Sequence, residues 1–208
     1  MSSQPLQFST SDDREELARA EVYGLLARLF YAPPDEALYS QLRVAPTETS
    51  APGGFLELHW TELVAAARRI DLASVHAEHE ALFGGIGKPE VLLYGSYHLA
   101  GALNEKPLVA LRHSLRQLGL ERPETVVETE DHLASLCEVM RFLIAGEDLS
   151  VSNLEQQRRF FSEHLRPWVD ALCDTLAGHP RADFYRSLAL FSRDFFAVES
   201  QAFDLLDA

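Results

Sequence analysis

The segment RAEVYGLLARLFYAPPD, residues 19–35, combines a helical pattern with a stop signal. Its apolar residues recur at spacings of three and four, which places them on one face of an α-helix. They are Val22, Leu25, Leu26, Leu29 and Phe30. The helix should end at Ala32-Pro33-Pro34, because proline clashes with a continuing helix and disfavours helical geometry in the residue before it. This stretch therefore predicts a long amphipathic helix near the start of the chain.

The same period continues through most of the sequence. Further helices are predicted at 35–43, in two parts of 55–83 that separate near Ile70-Asp71, and at 105–118, about 129–145, 150–177 and about 181–206. Pro167 should kink the segment 150–177 or mark a junction within it. The segment 91–104, VLLYGSYHLAGALN, fits either a short helix or an irregular apolar stretch, and 44–54 and 84–89 are predicted to be loops.

Strand-like alternation of useful length is absent from the sequence, and so is any internal repeat. The patterns predict an all-α fold, a single-domain bundle of about eight or nine helices. We expect this domain to extend over residues 11–208 and to follow a flexible N-terminus at 1–10, which is polar.

Composition narrows the class of partner. The chain has 208 residues and a formal net charge of -14, which disfavours nucleic acid and anionic membranes and favours a cationic partner such as a basic peptide. The two cysteines, Cys137 and Cys173, lie in apolar helical patterns and suit a reducing compartment. The N-terminus lacks the apolar region of a secretory signal, and no run approaches the length of a membrane span. These features predict a cytoplasmic protein without membrane insertion.

Three stretches suggest catalytic chemistry, and each fails a test of spacing. HAEHE, residues 76–80, would bring His76, His79 and Glu80 to one side of a helix, but it is not HExxH and fixes no third ligand. GGIGK lacks the first glycine and the Ser or Thr of a phosphate loop. Ser96 in YGSYH is not in a GxSxG elbow. We expect no catalytic residue, metal or cofactor; a metal-dependent hydrolase using His76, His79 and His132 is the alternative.

The stretch ETEDHLASLCEVM, residues 128–140, places three carboxylates and a histidine before an apolar helical pattern. Glu130, Asp131 and His132 cannot converge on one ion as neighbours within a helix, because adjacent residues point about 100° apart. One interpretation is a helix that starts at Glu128 or Thr129, with acidic groups near its positive end. That interpretation accounts less well for His132, because a cationic ring is disfavoured in the same field.

Several of these stretches together resemble the TorD/DmsD family of cytoplasmic chaperones for the maturation of molybdenum enzymes. The resemblance covers about residues 15–205 and rests on the order and spacing of four segments: RAEVYGLLARLFYAPPD, YGSYHLAGALNEKPLVALRHSLRQLGL, ETEDHLASLCEVM and FFSEHLRPWVDALCDTLAGHPRADFYRSLALFSRDFF. It implies a TorD-like helical domain without catalysis. Such a protein would bind the twin-arginine leader of a molybdoenzyme catalytic subunit, and often its body, until the cofactor is inserted.

The resemblance also implies a peptide-binding site built from two motifs. Tyr94 and Ser96 match Pro-Tyr-x-Ser-x-aromatic, with Leu93 in the place of proline and Tyr97 and His98 near the aromatic place; Glu128, Asp131 and His132 match Glu-Pro-x-Asp-His, with Thr129 in the place of proline. Together with Glu130, these residues are the predicted site. Its carboxylates would accept charge-assisted hydrogen bonds from arginine, and its tyrosines would stack on guanidinium groups.

The two segments are therefore expected to meet in the fold and to share a hollow. The client is predicted to be a formate dehydrogenase or a reductase of N- or S-oxides, and no residues are assigned to GTP or to molybdopterin. We expect a monomer or a dimer that exchanges helices, because helical proteins can swap elements through extended hinge loops.

Overall fold

A computed structural model describes residues 11–47, 56–84 and 88–206. In these ranges the chain forms ten α-helices, numbered α1 to α10 in chain order: Ser11–Tyr31, Glu36–Val44, Glu57–Arg69, Leu72–Phe83, Gly95–Ala100, Lys106–Gln117, Leu133–Ala145, Leu154–His164, Val169–Ala177 and Phe184–Leu205. The fold is all-α, as the sequence predicts. The predicted N-terminus 1–10, most of the predicted loop 44–54 and residues 85–87 lie outside the described ranges.

Several predicted helix ends are confirmed and have clear physical causes. The first helix ends at Tyr31 before the two prolines, and Asp35 then caps α2 by accepting a hydrogen bond from the N–H of Leu38. Asp71 separates α3 from α4 and caps α4 through the N–H of Ser74. Gly119 follows α6 with a φ of 70°, and this left-handed conformation closes the helix.

The structure decides two points about helix extent that the sequence left open. The pattern at 150–177 is two helices, because Pro167 has no N–H and its ring blocks the carbonyl one turn earlier. The chain turns between α8 and α9, and Trp168 buries its ring and donates a hydrogen bond to the carbonyl of His164 at 2.7 Å. In 91–104 only Gly95–Ala100 is helical. With α5 formed and α8 separate from α9, the described residues contain ten helices, against about eight or nine expected.

The core is formed where α1 packs against α7 and where α10 packs against α3 and α9. Aromatic rings connect the two regions: Tyr23 of α1 lies against Phe195 and Phe196 of α10, and Phe161 of α8 lies against Phe196 and Phe203. All five rings are buried. The two cysteines are buried free thiols, and burial raises their pKa values.

Two polar contacts tie distant helices into this core. The carboxylate of Glu78 on α4 accepts hydrogen bonds from the N–H groups of Asp183, Phe184 and Tyr185 at 2.8–3.0 Å, and so caps the start of α10. Glu199 on α10 is buried and accepts two hydrogen bonds from Arg19 at 2.7 and 2.8 Å. Of the helices described, none has the length and apolar character needed to cross a membrane.

Candidate functional site

The two predicted site segments meet beside α1. Residues 93–96 and 131–133 run antiparallel, and they form an isolated backbone bridge between Tyr94 and His132. The N–H of Gly95 donates to the carbonyl of Asp131 at 2.9 Å, and the N–H of Leu133 donates to that of Leu93 at 2.8 Å. We call these two stretches the bridge. The expectation that the segments lie together is confirmed.

Asp131 is an internal part of the bridge. Its side chain is 3% exposed and accepts hydrogen bonds from the N–H of Ser96 at 2.8 Å and from the hydroxyl of Thr129 at 2.6 Å. The carboxylate therefore holds the start of α5 and the turn before α7 in one arrangement. Thr129 stands where the related motif has proline, and its hydroxyl fixes the turn by a hydrogen bond instead of a ring.

His132 caps α7, and this corrects the interpretation that the helix starts at Glu128 or Thr129. The helix begins at Leu133, and Nδ1 of His132 accepts a hydrogen bond from the N–H of Ala134 at 3.2 Å. Burial lowers the pKa of His132 to about 4, against the opposing charges of Glu128 and Asp131. The ring is therefore neutral near pH 7. A neutral acceptor at a helix start is favourable, which removes the difficulty with a cationic ring.

Ser96 and His98 also face inward. Ser96 is fully buried, and its Oγ has no hydrogen-bond partner. The ring of His98 stacks on Trp168 and its Nε2 lies 2.8 Å from the carbonyl oxygen of Leu92; burial lowers its pKa. Gly95 packs closely on Trp168, since a Cβ at Gly95 would lie 3.1 Å from Nε1 of the indole and would require the ring to shift slightly. A cavity of about 240 Å³ adjoins Ser96, Asp131 and Trp168.

Tyr94, Tyr97 and Glu128 are partly exposed beside the bridge. The hydroxyl of Tyr94 donates to the carboxylate of Glu128, and burial together with this contact raises the pKa of Tyr94. The ammonium of Lys88 lies 5.5 Å from the centre of the Tyr97 ring. These side chains offer a phenol, an aromatic face and a carboxylate to an incoming peptide.

Glu130 is engaged by two arginines of the chain. Arg112 on α6 donates from Nε and Nη2 to Oε2 of Glu130 at 3.0 and 2.9 Å. Nε of Arg122, on the connection between α6 and α7, lies 3.7 Å from Oε1. Partial burial acts to raise the pKa of Glu130, but the hydrogen bond and charge of Arg112, with the charge of Arg122, outweigh it and leave the pKa lowered.

An open apolar groove begins at Glu130. It has a volume of about 520 Å³ and lies between α1, α7 and the connection 118–132. Its apolar walls include residues from all three elements: Tyr31, Leu120, Val126, Val139 and Phe142. Tyr31 and Phe142 are 49% and 41% exposed, although both are large aromatic side chains. Charged side chains line it as well; they are Arg28, Glu121, Arg122, Glu130 and Glu138.

The sequence prediction missed the groove and the two arginines. It assigned one stripe of α7 to the core, namely Leu133, Leu136, Cys137, Met140 and Ile144, and all five are buried. Val139 and Phe142 lie off that stripe, and such extra apolar positions on an amphipathic helix were the available signal. The pairing of Glu130 with Arg112 and Arg122 had no local signal, because it depends on how α6 packs.

The three histidines of the alternative hydrolase, His76, His79 and His132, each lie in a different environment. Nε2 of His76 lies 2.7 Å from the carbonyl oxygen of Pro34. His79 is partly buried with its Nε2 unpartnered, and burial lowers its pKa to about 4. Within 11–47, 56–84 and 88–206, no group of three His, Cys, Asp or Glu side chains is arranged to hold a metal ion.

Comparison with known proteins shows which family this chain belongs to. Residues 55–174, more than half of the chain, match the family described as nitrate reductase delta subunit. The chain is 27% identical over 205 residues to the chaperone protein TorD of Vibrio cholerae, covering 90% of this chain and 93% of the relative. It is 28% identical over 176 residues to the chaperone protein YcdY of Escherichia coli, covering 82% and 87%.

A solved structure shares the fold. A proposed redox enzyme maturation protein from Archaeoglobus fulgidus superposes with a TM-score of 0.58, covering 94% of this chain and 99% of the other, at 16% sequence identity. At that identity the likeness concerns the arrangement of the helices alone.

Proposed function

Because this chain belongs to the TorD family of redox enzyme maturation chaperones, we propose that it binds the twin-arginine leader of a molybdenum-containing oxidoreductase. It holds the apo form of that catalytic subunit in the cytoplasm until the cofactor is inserted, and it acts by binding, without a reaction of its own. The client is a formate dehydrogenase or an N- or S-oxide reductase. The whole of residues 11–208 serves as one chaperone domain.

One observation carries this proposal: an apolar groove that begins at a carboxylate. A twin-arginine leader presents two guanidinium groups followed by an apolar stretch, and each part needs a different surface. Glu130 already accepts hydrogen bonds from a guanidinium group, and the groove exposes Tyr31 and Phe142 beside it. Large exposed apolar surfaces rimmed by charge are typical of interaction sites.

The predicted site divides into two roles under this proposal. Asp131, His132 and Ser96 are buried and shape the bridge. Tyr94, Tyr97, Glu128 and Glu130 keep partial exposure and contact the leader, whereas His98 supports α5 through Trp168. The net charge of -14 favours the approach of a basic peptide, and the effect should weaken with salt.

Calorimetry with two synthetic peptides tests the proposal. One carries two adjacent arginines followed by an apolar segment, and the other carries lysines at the same two positions. We expect the arginine peptide to bind more tightly, because only guanidinium can form the forked contact with a carboxylate, and its affinity should fall with added salt. Equal binding of both peptides without salt dependence would contradict the proposal. Full-length apo-oxidoreductase with and without its leader serves as the second probe.

A further inference from the structure

Glu130 is held unequally by its two arginines. Arg112 projects from the regular helix α6 and makes two hydrogen bonds at 2.9 and 3.0 Å. Arg122 makes only the 3.7 Å contact to Oε1, outside hydrogen-bonding distance. Arg122 lies on the irregular connection 118–132, and its Nη1 donates to the carbonyl of Val126 within that connection. Moving Arg122 away from Glu130 therefore costs less interaction energy than moving Arg112 away.

The place that Arg122 occupies adjoins the groove. Arg122 lines the groove together with Pro123, Val126 and Glu130. A peptide guanidinium that took the place of Arg122 on Oε1 would have apolar walls directly beside the rest of its chain. The position of Arg122 thus imitates an arginine that is followed by apolar residues, which is the feature that the proposed leader presents.

Exchange of one arginine for another at this carboxylate costs little free energy. The same charge and the same donor groups are restored, so the affinity of the leader comes mainly from burying its apolar segment in the groove. Two N–H groups of one guanidinium can converge on Oε1, as those of Arg112 do on Oε2, and lysine cannot reproduce this planar pair of donors, which gives the site its preference for arginine. The side chain of Glu130 is only 15% exposed, so that the exchanged contact is better shielded from solvent than an ordinary surface ion pair.

On the basis of the proposed function, we propose that Arg122 is an internal competitor for the leader. It occupies Glu130 in the free protein, and an arginine of the leader displaces it. The connection 118–132 then moves at Arg122 and the groove receives the apolar segment. Arg112 stays on Glu130 and keeps the carboxylate in position.

Charge-matched variants test this inference by calorimetry with the same two peptides. We expect Arg122→Gln to bind the arginine peptide about two- to fivefold more tightly than Arg159→Gln does, since removing the competitor frees a contact worth a surface ion pair. Arg159 pairs with Glu163 on α8 and does not line the groove, so its variant controls for the loss of one positive charge. Glu130→Gln should remove the preference for arginine over lysine.

A second measurement is independent of these affinities. Hydrogen exchange of the wild-type protein should become faster at the backbone N–H groups of residues 120–126 near Arg122 when the arginine peptide binds, and not with the lysine peptide. The inference is overturned if Arg122→Gln binds no more tightly than Arg159→Gln, or if exchange in this segment is unchanged at saturation. In that case a wild-type preference for arginine over lysine leaves the proposed function intact. Absence of that preference in the wild type would overturn both.

Discussion

His132 caps α7 through an unprotonated ring nitrogen, so its role depends on pH. Its Nδ1 accepts from the N–H of Ala134, and a protonated ring has no acceptor left to do so. Tyr31 and Tyr94 pack against the ring of His132 in T-shaped, edge-to-face contacts and help to bury it. The same residue therefore supports α7, the bridge and one wall of the groove.

Acidification should weaken the fold through His132. Its pKa is about 4 in the folded chain and near 6.5 when unfolded, so the unfolded chain binds more protons between these values. The contribution of His132 to the free energy of unfolding is fully present above pH 6.5 and is lost as the pH falls toward 4. We expect a loss of about 2 kcal/mol from this residue between pH 7 and pH 5. His132→Asn keeps a capping oxygen, so urea unfolding of this variant should show a smaller difference between the two pH values; an unchanged difference would contradict the assignment.

Glu78 offers a second test at the residue scale. Its carboxylate caps α10 by three N–H groups, and Glu78→Gln replaces a charged acceptor that bridges several donors by one neutral oxygen. We expect a loss of about 1–2 kcal/mol in the free energy of unfolding by urea. Glu21→Gln on the exposed face of α1 is the control and should change it by less than about 0.5 kcal/mol. Equal effects of the two variants would count against the cap.

Helices α1, α8 and α10 are joined by a polar cluster within an apolar core. Arg19 of α1 contacts Glu199 of α10 and Gln157 of α8, and the hydroxyl of Tyr23 donates to Glu199 at 3.0 Å. A buried carboxylate is tolerated there because it accepts three hydrogen bonds, two from Arg19 and one from the hydroxyl of Tyr23. Removing only the cation leaves a buried charge without compensation, which costs far more than the pair contributes.

The cluster predicts an asymmetry between single and double variants. Arg19→Met should lower the free energy of unfolding by about 3 kcal/mol, because Glu199 stays buried without its cation. Combining it with Glu199→Gln should recover a substantial part of that loss, since the amide oxygen still accepts from Tyr23. Urea denaturation of both proteins measures the difference. A double variant that is less stable than Arg19→Met alone would contradict the view that the unpaired charge of Glu199 causes the loss.

Some helix ends could be predicted from the sequence and others could not. The stop at Pro33-Pro34, the break at Asp71 and the end of α6 at Gly119 were predictable, because each depends on residues that are neighbours along the chain. The start of α7 was not, since the capping role of His132 depends on burial against Tyr31 and Tyr94. Pro167 was expected to kink 150–177 or to mark a junction within it, and the choice between the two depends on the burial of Trp168, which periodicity does not show.

For the candidate site, the sequence predicted which two segments lie together but not which of their side chains are exposed. The residues of YGSY and ETEDH were expected to meet, and they do. Which of their side chains would be exposed depends on packing between helices: Asp131, predicted as a peptide contact, is buried and holds the bridge by two hydrogen bonds. Glu130 lines the groove with Arg112 of α6 on Oε2 and Arg122 near Oε1, and neither partner could be read from the residues around it.

At the scale of the whole molecule, some aromatic side chains are buried in the core and stabilise the fold, whereas others are exposed in the groove. Phe196 is buried among Tyr23, Phe161 and Phe195, and it links three helices. Phe142 has a similar side chain but remains 41% exposed in the groove. The two residues therefore make a matched pair for separating the fold from the proposed binding.

Truncating each ring should give opposite results. Phe196→Ala should cost about 3–5 kcal/mol, close to the whole stability of an ordinary domain, because it leaves a cavity in the core. Phe142→Ala should change the stability by less than about 1 kcal/mol and should weaken the arginine peptide severalfold. Thermal unfolding and calorimetry report the two effects. Full peptide affinity in a well-folded Phe142→Ala protein would argue against the groove.

The bridge between Tyr94 and His132 closes the intervening chain into a ring without a covalent link. Helix α6 and one wall of the groove lie inside that ring, whereas α1, α7 and α10 lie outside it. Adding residues to an already closed loop costs only a small further entropy, about 0.6 kcal/mol for each doubling of its length. Insertions in the irregular connection between Leu120 and Glu128 would therefore reshape the wall while α6 and the other helices stay intact, which makes this connection the natural place to graft a new specificity.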